Sequence, residues 1–193
     1  MEVMKLNIKK AIEILKGGGI VIYPTDTAFG IGCRIDNMKA VDRLFDIRRR
    51  PRTQATPVLV SSIDMALLYF SDPSQIVRRF MHDYWPGALT IVSFCKKELV
   101  HSPIRGDGNT IGLRMPDHQT ALTIIAGVGV PILGPSANFH GLPTPYHYED
   151  LDPALEKLVD FVVPGETSSG LASTVVDCSS QPYHIIRQGA VHV

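Results

Sequence analysis

An excess of charge of either sign is what this sequence lacks. Nineteen Lys and Arg residues stand against nineteen Asp and Glu, so the formal net charge at pH 7 is zero. No global field draws the chain to nucleic acid, and any anion site must come from local clustering. Cysteine is also scarce. Cys33, Cys95 and Cys178 lie far apart, are odd in number and form no C-x-x-C, which argues against a disulfide framework and a zinc ribbon. Their apolar surroundings predict buried free thiols, in keeping with a reducing, cytoplasmic setting. The longest apolar run, Ile124 to Leu133, is too short to span a bilayer and contains Pro131. Lys9, Lys10, Glu13 and Lys16 interrupt the N-terminal stretch, so no secretory pattern is read and no membrane partner is expected.

Familiar ligand motifs are missing too. There is no G-x-x-x-x-G-K-[ST] phosphate loop and no G-x-G-x-x-G opening a helix after a strand. H-E-x-x-H and G-x-S-x-G are likewise absent. If a nucleotide binds, arginines and strand-end loops must hold its phosphates. No metal-ligand set is assigned.

What is present is an ordinary globular composition, 45% hydrophobic and 20% charged over 193 residues, enough for one sizeable core. A single domain over 1–193 is expected. Asn7 is placed to cap a helix with Ile8, Ala11, Ile12 and Leu15 inward, ended by Gly17-Gly18-Gly19. Strands follow at 20–23 and 29–33. A helix started near Asn37 delivers Arg48-Arg49-Arg50-Pro51-Arg52 at its C-terminal end, where cations complement the helix dipole. Residues 58–60 read as strand and Asp64 onward as a short helix. Pro73 suits the first turn of a longer helix. Strands at 89–94 and 110–114, a helix begun by Asp117, and a strand at 130–133 come next. A loop rich in Gly, Pro and His leads to a helix at 153–159 and strands at 161–163, 174–177 and 184–187. Alternating helices and strands predict an α/β fold. The closely spaced last strands make the twisted open sheet mixed, parallel and antiparallel, with flanking helices.

Polar clusters fall where these strands end: Pro24-Thr25-Asp26-Thr27, the arginine run, Arg114, Gly134-Pro135-Ser136-Ala137-Asn138, Ser173-Thr174 and Arg187. Ligands of open α/β sheets gather at such ends. Alone, each cluster has an ordinary reading: a solvated helix end, a turn bonding its own backbone, a loop cap. Arg114 differs, because it lies among Ile111, Leu113 and Met115 and its charge needs a partner.

Taken together the segments resemble the YrdC-like family almost end to end. Tyr23-Pro24-Thr25-Asp26-Thr27-Ala28-Phe29-Gly30-Ile31-Gly32 is similar to its opening, and Arg48-Arg49-Arg50-Pro51 to its K-x-R-P. Trp85-Pro86-Gly87 with Thr90 resembles W-P-G-x-x-T, and Gly112-Leu113-Arg114-Met115-Pro116-Asp117-His118 resembles G-x-R-x-P-x-H. Ser136-Ala137-Asn138 with Gly141 and Pro143, then Ser173 to Asp177 and Ile186 to Gly189, complete the match. Arg48 stands where the family has Lys, and Phe29 where it usually has Tyr.

The resemblance implies a YrdC-like fold and an enzyme that condenses L-threonine, bicarbonate and ATP into threonylcarbamoyl-AMP and pyrophosphate. It also implies magnesium accompanying ATP and no tightly bound prosthetic group. The product feeds a downstream threonylcarbamoyl-transferase complex that modifies the adenosine next to the anticodon of certain tRNAs. Carried over by position, Thr25, His118 and Ser173 would contact threonine. Arg48, Arg52, Arg114, Ser136, Asn138, Thr144 and Arg187 would hold ATP, with Arg48, Arg50, Ser136 and Asn138 closest to the chemistry. The chain ends soon after Arg187, as in minimal, single-domain members. Some minimal relatives lack Ser-Ala-Asn, which is present here. Two alternatives remain at this level: a double-stranded RNA or tRNA binder of the same fold, and a carbamoyl-transfer relative with another acceptor.

Overall fold

The computed structural model describes residues 2–193. It begins with α1 (Glu2–Lys16), which starts five residues before Asn7, so that side chain does not cap it. The expected inward face holds: Ala11 and Leu15 are fully buried, with Ile8 and Ile12 packed beside them. Strands β1 (Val21–Tyr23) and β2 (Gly30–Gly32) form an antiparallel pair, and β7 (Phe161–Val162) joins β1 in parallel. A second sheet contains β3 (Val58–Leu59), β4 (Leu89–Phe94), β5 (Thr110–Arg114), β6 (Ile132–Leu133), β8 (Thr174–Asp177) and β9 (His184–Arg187). Its order is β6-β3-β5-β4-β8-β9, with β3–β5 and β4–β8 parallel and the other neighbours antiparallel. The mixed character expected from the sequence is what is found.

The two sheets are joined along β2. Ile31 N donates to Pro135 O (3.0 Å), Leu133 N to Cys33 O (2.9 Å) and Ala137 N to Phe29 O (2.8 Å). The Tyr23 hydroxyl donates to Leu133 O at 2.6 Å, and burial pushes this phenol well above its usual range. Approach is so close that a Cβ on Gly32 would lie 2.2 Å from Leu133 O, which explains glycine there. The seam lays the Thr25–Phe29 turn beside the Gly134–Asn138 turn.

Helices cover both faces. Val21 and Tyr23 face α1 and α5 (Gln119–Val128), while Ile22, between them, faces α2 (Met38–Arg48) and α4 (Gln75–Tyr84). That period-two alternation is the reason a three-residue strand serves two cores. Each fully buried Ile, Leu or Phe in them contributes about 1.5–3 kcal/mol. Asn37 caps α2 as expected, its side chain accepting from Ala40 N at 3.1 Å. Ser62 caps α3 (Ile63–Tyr69), accepting from Met65 N.

Three further helix starts or ends differ from the sequence reading. Ser74, not Pro73, occupies the N-cap of α4, leaving Pro73 outside the helix. His118, not Asp117, caps α5. The helix expected to Val159 ends as α6 (Pro153–Glu156), after which the backbone tightens to bonds such as Leu158 N to Leu155 O. Short 3-10 turns at Lys97–Leu99, Ser102–Arg105 and Tyr148–Asp150 lie in stretches without helical periodicity. Cys33, Cys95 and Cys178 are free and buried. No helix among the described residues is long and apolar enough to cross a membrane.

Candidate functional site

The arginine run is divided by its backbone. Arg49 caps α2 in the left-handed region (φ 54°, ψ 35°), with Arg49 N bonded to Asp46 O and Arg50 N to Phe45 O, each at 3.0 Å. A non-glycine residue there costs about 1–2 kcal/mol. Its guanidinium sits 4.9 Å from the centroid of the Phe139 ring, a stacking that offsets part of that cost. This reversal turns Arg48 and Arg50 toward one cavity. Arg52 instead pairs with Asp42 and with Asp46 (2.9 Å), on the half-exposed surface.

Arg114, at the end of β5, has the partner its burial requires. Its Nη1 is 2.7 Å from Asp26 Oδ1, and both residues are buried. The Thr25 hydroxyl donates to Ala28 O (2.7 Å) and accepts from Thr27 N (3.2 Å) and Ala28 N (3.3 Å), a side-chain-closed turn. Arg114 Nη2 is 3.4 Å from the same oxygen. Thr25 therefore shapes the loop with its hydroxyl already fully engaged, and it is the loop that presents Asp26 to Arg114.

From the other end of the sheet, Arg187 closes the cavity. Its Nε (3.0 Å) and Nη2 (2.8 Å) donate to Ser173 O, and Nη2 also reaches Ser173 Oγ at 3.1 Å. Ser173 Oγ is 2.9 Å from Thr90 Oγ1. Thr174 anchors the returning tail, its hydroxyl accepting from Gly189 N (2.9 Å) and Val191 N (3.1 Å). Arg187 is thereby held by bonds to Ser173 although the β9 residues themselves are exposed.

Eight of the eleven residues singled out from the sequence line one cavity of about 190 Å³: Thr25, Arg48, Arg50, Arg114, Ser136, Thr144, Ser173 and Arg187. Three do not. Arg52 is drawn to Asp42 and Asp46, as described. His118 caps α5, with Nε2 3.1 Å from Glu166 O. Asn138 lies one layer behind, accepting from Arg48 and from Ser136. Thr27, Pro57, Thr90 and Gly134 line the cavity without having been assigned a role from sequence. Thr27, Thr90 and Gly134 stand inside quoted motifs; Pro57 was visible only as the residue before a strand.

Electrostatically the cavity is unbalanced. Four guanidiniums line it, and Asp26 neutralises only Arg114. Among the described residues no carboxylate lies within ion-pair distance of Arg48, Arg50 or Arg187. Burial, then repulsion from Arg50, lowers the Arg48 guanidinium to about 10, so it is still a cation at neutral pH. Burial also lowers Arg50 and Arg187. Such a cluster on three separate elements suits a polyanion with several oxygens, gripped by planar forks. It does not suit a metal ion. No group of three or more His, Cys, Asp or Glu side chains able to hold one exists among the described residues, and Asp26 is already engaged.

Comparison with known proteins places this geometry. The family model for Sua5, YciO and YrdC, described as telomere recombination, matches residues 13–189. A protein named threonylcarbamoyl-AMP synthase from Bacillus subtilis is 31% identical over 188 residues, covering 95% of this chain and 54% of that protein. The structure of Pyrococcus abyssi Sua5 complexed with L-threonine superposes with a TM-score of 0.87 at 29% identity, over 94% of this chain and 54% of that one. Escherichia coli YciO superposes at 0.85 with 28% identity, over 96% and 90%. The chain thus spans about half the length of the Bacillus subtilis and Pyrococcus abyssi proteins.

Proposed function

Because the chain belongs to the Sua5, YciO and YrdC family, we propose that it is an L-threonylcarbamoyladenylate synthase, a nucleotidyltransferase whose whole site lies within 1–193. The observation that carries this reading is the meeting of Arg48, Arg50 and Arg187, each with neutral partners only, in one cavity beside the Ser136 and Ser173 hydroxyls. The L-threonine in the related Sua5 complex supports threonine as substrate.

In the proposed reaction the amine of threonine and bicarbonate give a carbamate with loss of water. A carbamate oxygen attacks the α-phosphorus of ATP, the bond to the β-phosphate oxygen breaks, and pyrophosphate leaves with the electron pair. Negative charge grows on phosphate oxygens, where fixed guanidiniums stabilise it without reorganising. The protein moves few protons; alignment in a shared cavity supplies most of the acceleration. Ser173, held between Thr90 and Arg187, would contact the threonine. Magnesium would travel with the triphosphate, since the described residues offer no carboxylate cage. The product would pass to a threonylcarbamoyl-transferase complex acting on tRNA. The three buried free thiols suit a cytoplasmic setting.

Pyrophosphate release by the purified chain is the test. It is expected only when ATP, threonine and bicarbonate are all present. Release without threonine, or none with all three and magnesium, contradicts the assignment.

A further inference from the structure

Asn138 offers the cavity nothing directly, yet both its oxygens accept hydrogen bonds from residues that line it. Its Oδ1 accepts from Arg48 Nη2 at 2.9 Å and from Ser136 Oγ at 2.7 Å. Its backbone oxygen accepts from Arg48 Nε at 3.0 Å, and its Nδ2 donates to Leu142 O. Arg48 and Ser136 line the cavity; Asn138 does not. Two acceptors on one residue hold one edge of the guanidinium, which fixes its plane. Arg48 Nη1, also buried, has no partner among the described residues. It is the nitrogen of this guanidinium that the protein does not use.

We propose that Asn138 is a positioning residue: it clamps the Nε–Nη2 edge of Arg48, orients the Ser136 hydroxyl, and so fixes the guanidinium against which a phosphate would bind. Asn138 touches no ligand itself. The Leu142 bond ties the clamp to the Gly141–Thr144 loop, so Thr144 and Arg48 are set by one side chain. In its effect on ATP the proposal rests on the nucleotide-binding reading; the clamp itself does not.

A thermodynamic cycle on ATP affinity, measured by calorimetry, separates a clamp from a contact. Asn138→Ala is expected to weaken ATP about 10-fold in the wild-type background, the size of one charge-assisted hydrogen bond misplaced. In an Arg48→Met background the same change is expected to cost less than about 2-fold. Effects that multiply would mean Asn138 acts independently of Arg48 and would overturn the proposal. Should Asn138→Ala not fold, Asn138→Ser, which keeps the backbone acceptor and some polarity, is carried through the same cycle with the same two outcomes. A second readout needs no ligand. In nitrogen-15 NMR the Arg48 Nη2–H resonance, whose acceptor is the Asn138 side chain, is expected to be sharp and slow to exchange in the wild type, and broadened by exchange in the Asn138 variant. An unchanged resonance overturns the clamp. A wild type that binds no ATP while this resonance behaves as expected overturns the proposed function and keeps the clamp.

Discussion

Arg48→Met is expected to lower turnover about 10²–10³-fold, the usual effect of removing one preorganised donor to developing charge. It is expected to do so without loss of stability. Arg48 is only 3% exposed and its cation meets neutral acceptors alone. Desolvating such a charge costs several kcal/mol, against about 1.5–3 kcal/mol regained per charged hydrogen bond. Methionine fills similar space without a charge and adapts to irregular gaps. The melting midpoint should therefore hold or rise. A fall beyond about 5 °C, more than a kcal/mol for a chain of this size, would make Arg48 a structural cation and contradict the account. Thermal denaturation and pyrophosphate release on the same preparation decide it.

Asp26→Ala should show the opposite balance. Asp26 neutralises Arg114 across 2.7 Å with both side chains buried. Removing one member of a buried pair leaves an uncompensated charge and costs about 3–5 kcal/mol. Here the penalty is raised by neighbours, since Arg187 already feels Arg114 as a repulsive charge. The expected loss in melting midpoint is about 10 °C. Arg114→Met in the same chain should recover part of that loss, because the stranded charge goes with it. A single variant within about 2 °C of wild type, or a double variant less stable than either single one, would show that the pair is not coupled in this way.

These variants also mark what the sequence could and could not reveal. The burial of Arg114 was legible because apolar neighbours alternate around it, and its partner lay in a motif already noted. Convergence of Thr25, Ser136 and Ser173 was legible for a similar reason: Thr25 and Ser136 follow short apolar strands, Ser173 opens one, and strand ends meet. The division of the arginine run was not legible. It depends on Arg49 taking a left-handed conformation that glycine or asparagine would ordinarily announce, with Phe139, distant in sequence, supplying the stacking surface. Arg52 was assigned to the site by its position in the family resemblance, and the turn after Arg49 sends it to Asp42 and Asp46 instead. Asn138 was carried into the site by the Ser-Ala-Asn resemblance; only the contact to Arg48, ninety residues away, reveals the layer behind. The start of α1 was missed because Val3 and Leu6 are exposed, so its first turns carry no inward apolar face.

Calorimetric titration of ATP with magnesium into wild type, Arg50→Met and Arg187→Met tests most directly whether cations from the end of α2 and from β9 grip one nucleotide. Each variant is expected to bind at least about 10-fold more weakly, as loss of a charge-assisted hydrogen bond of about 1.5–3 kcal/mol requires. Wild-type affinity in both variants would contradict it, because the two elements would then not share a ligand.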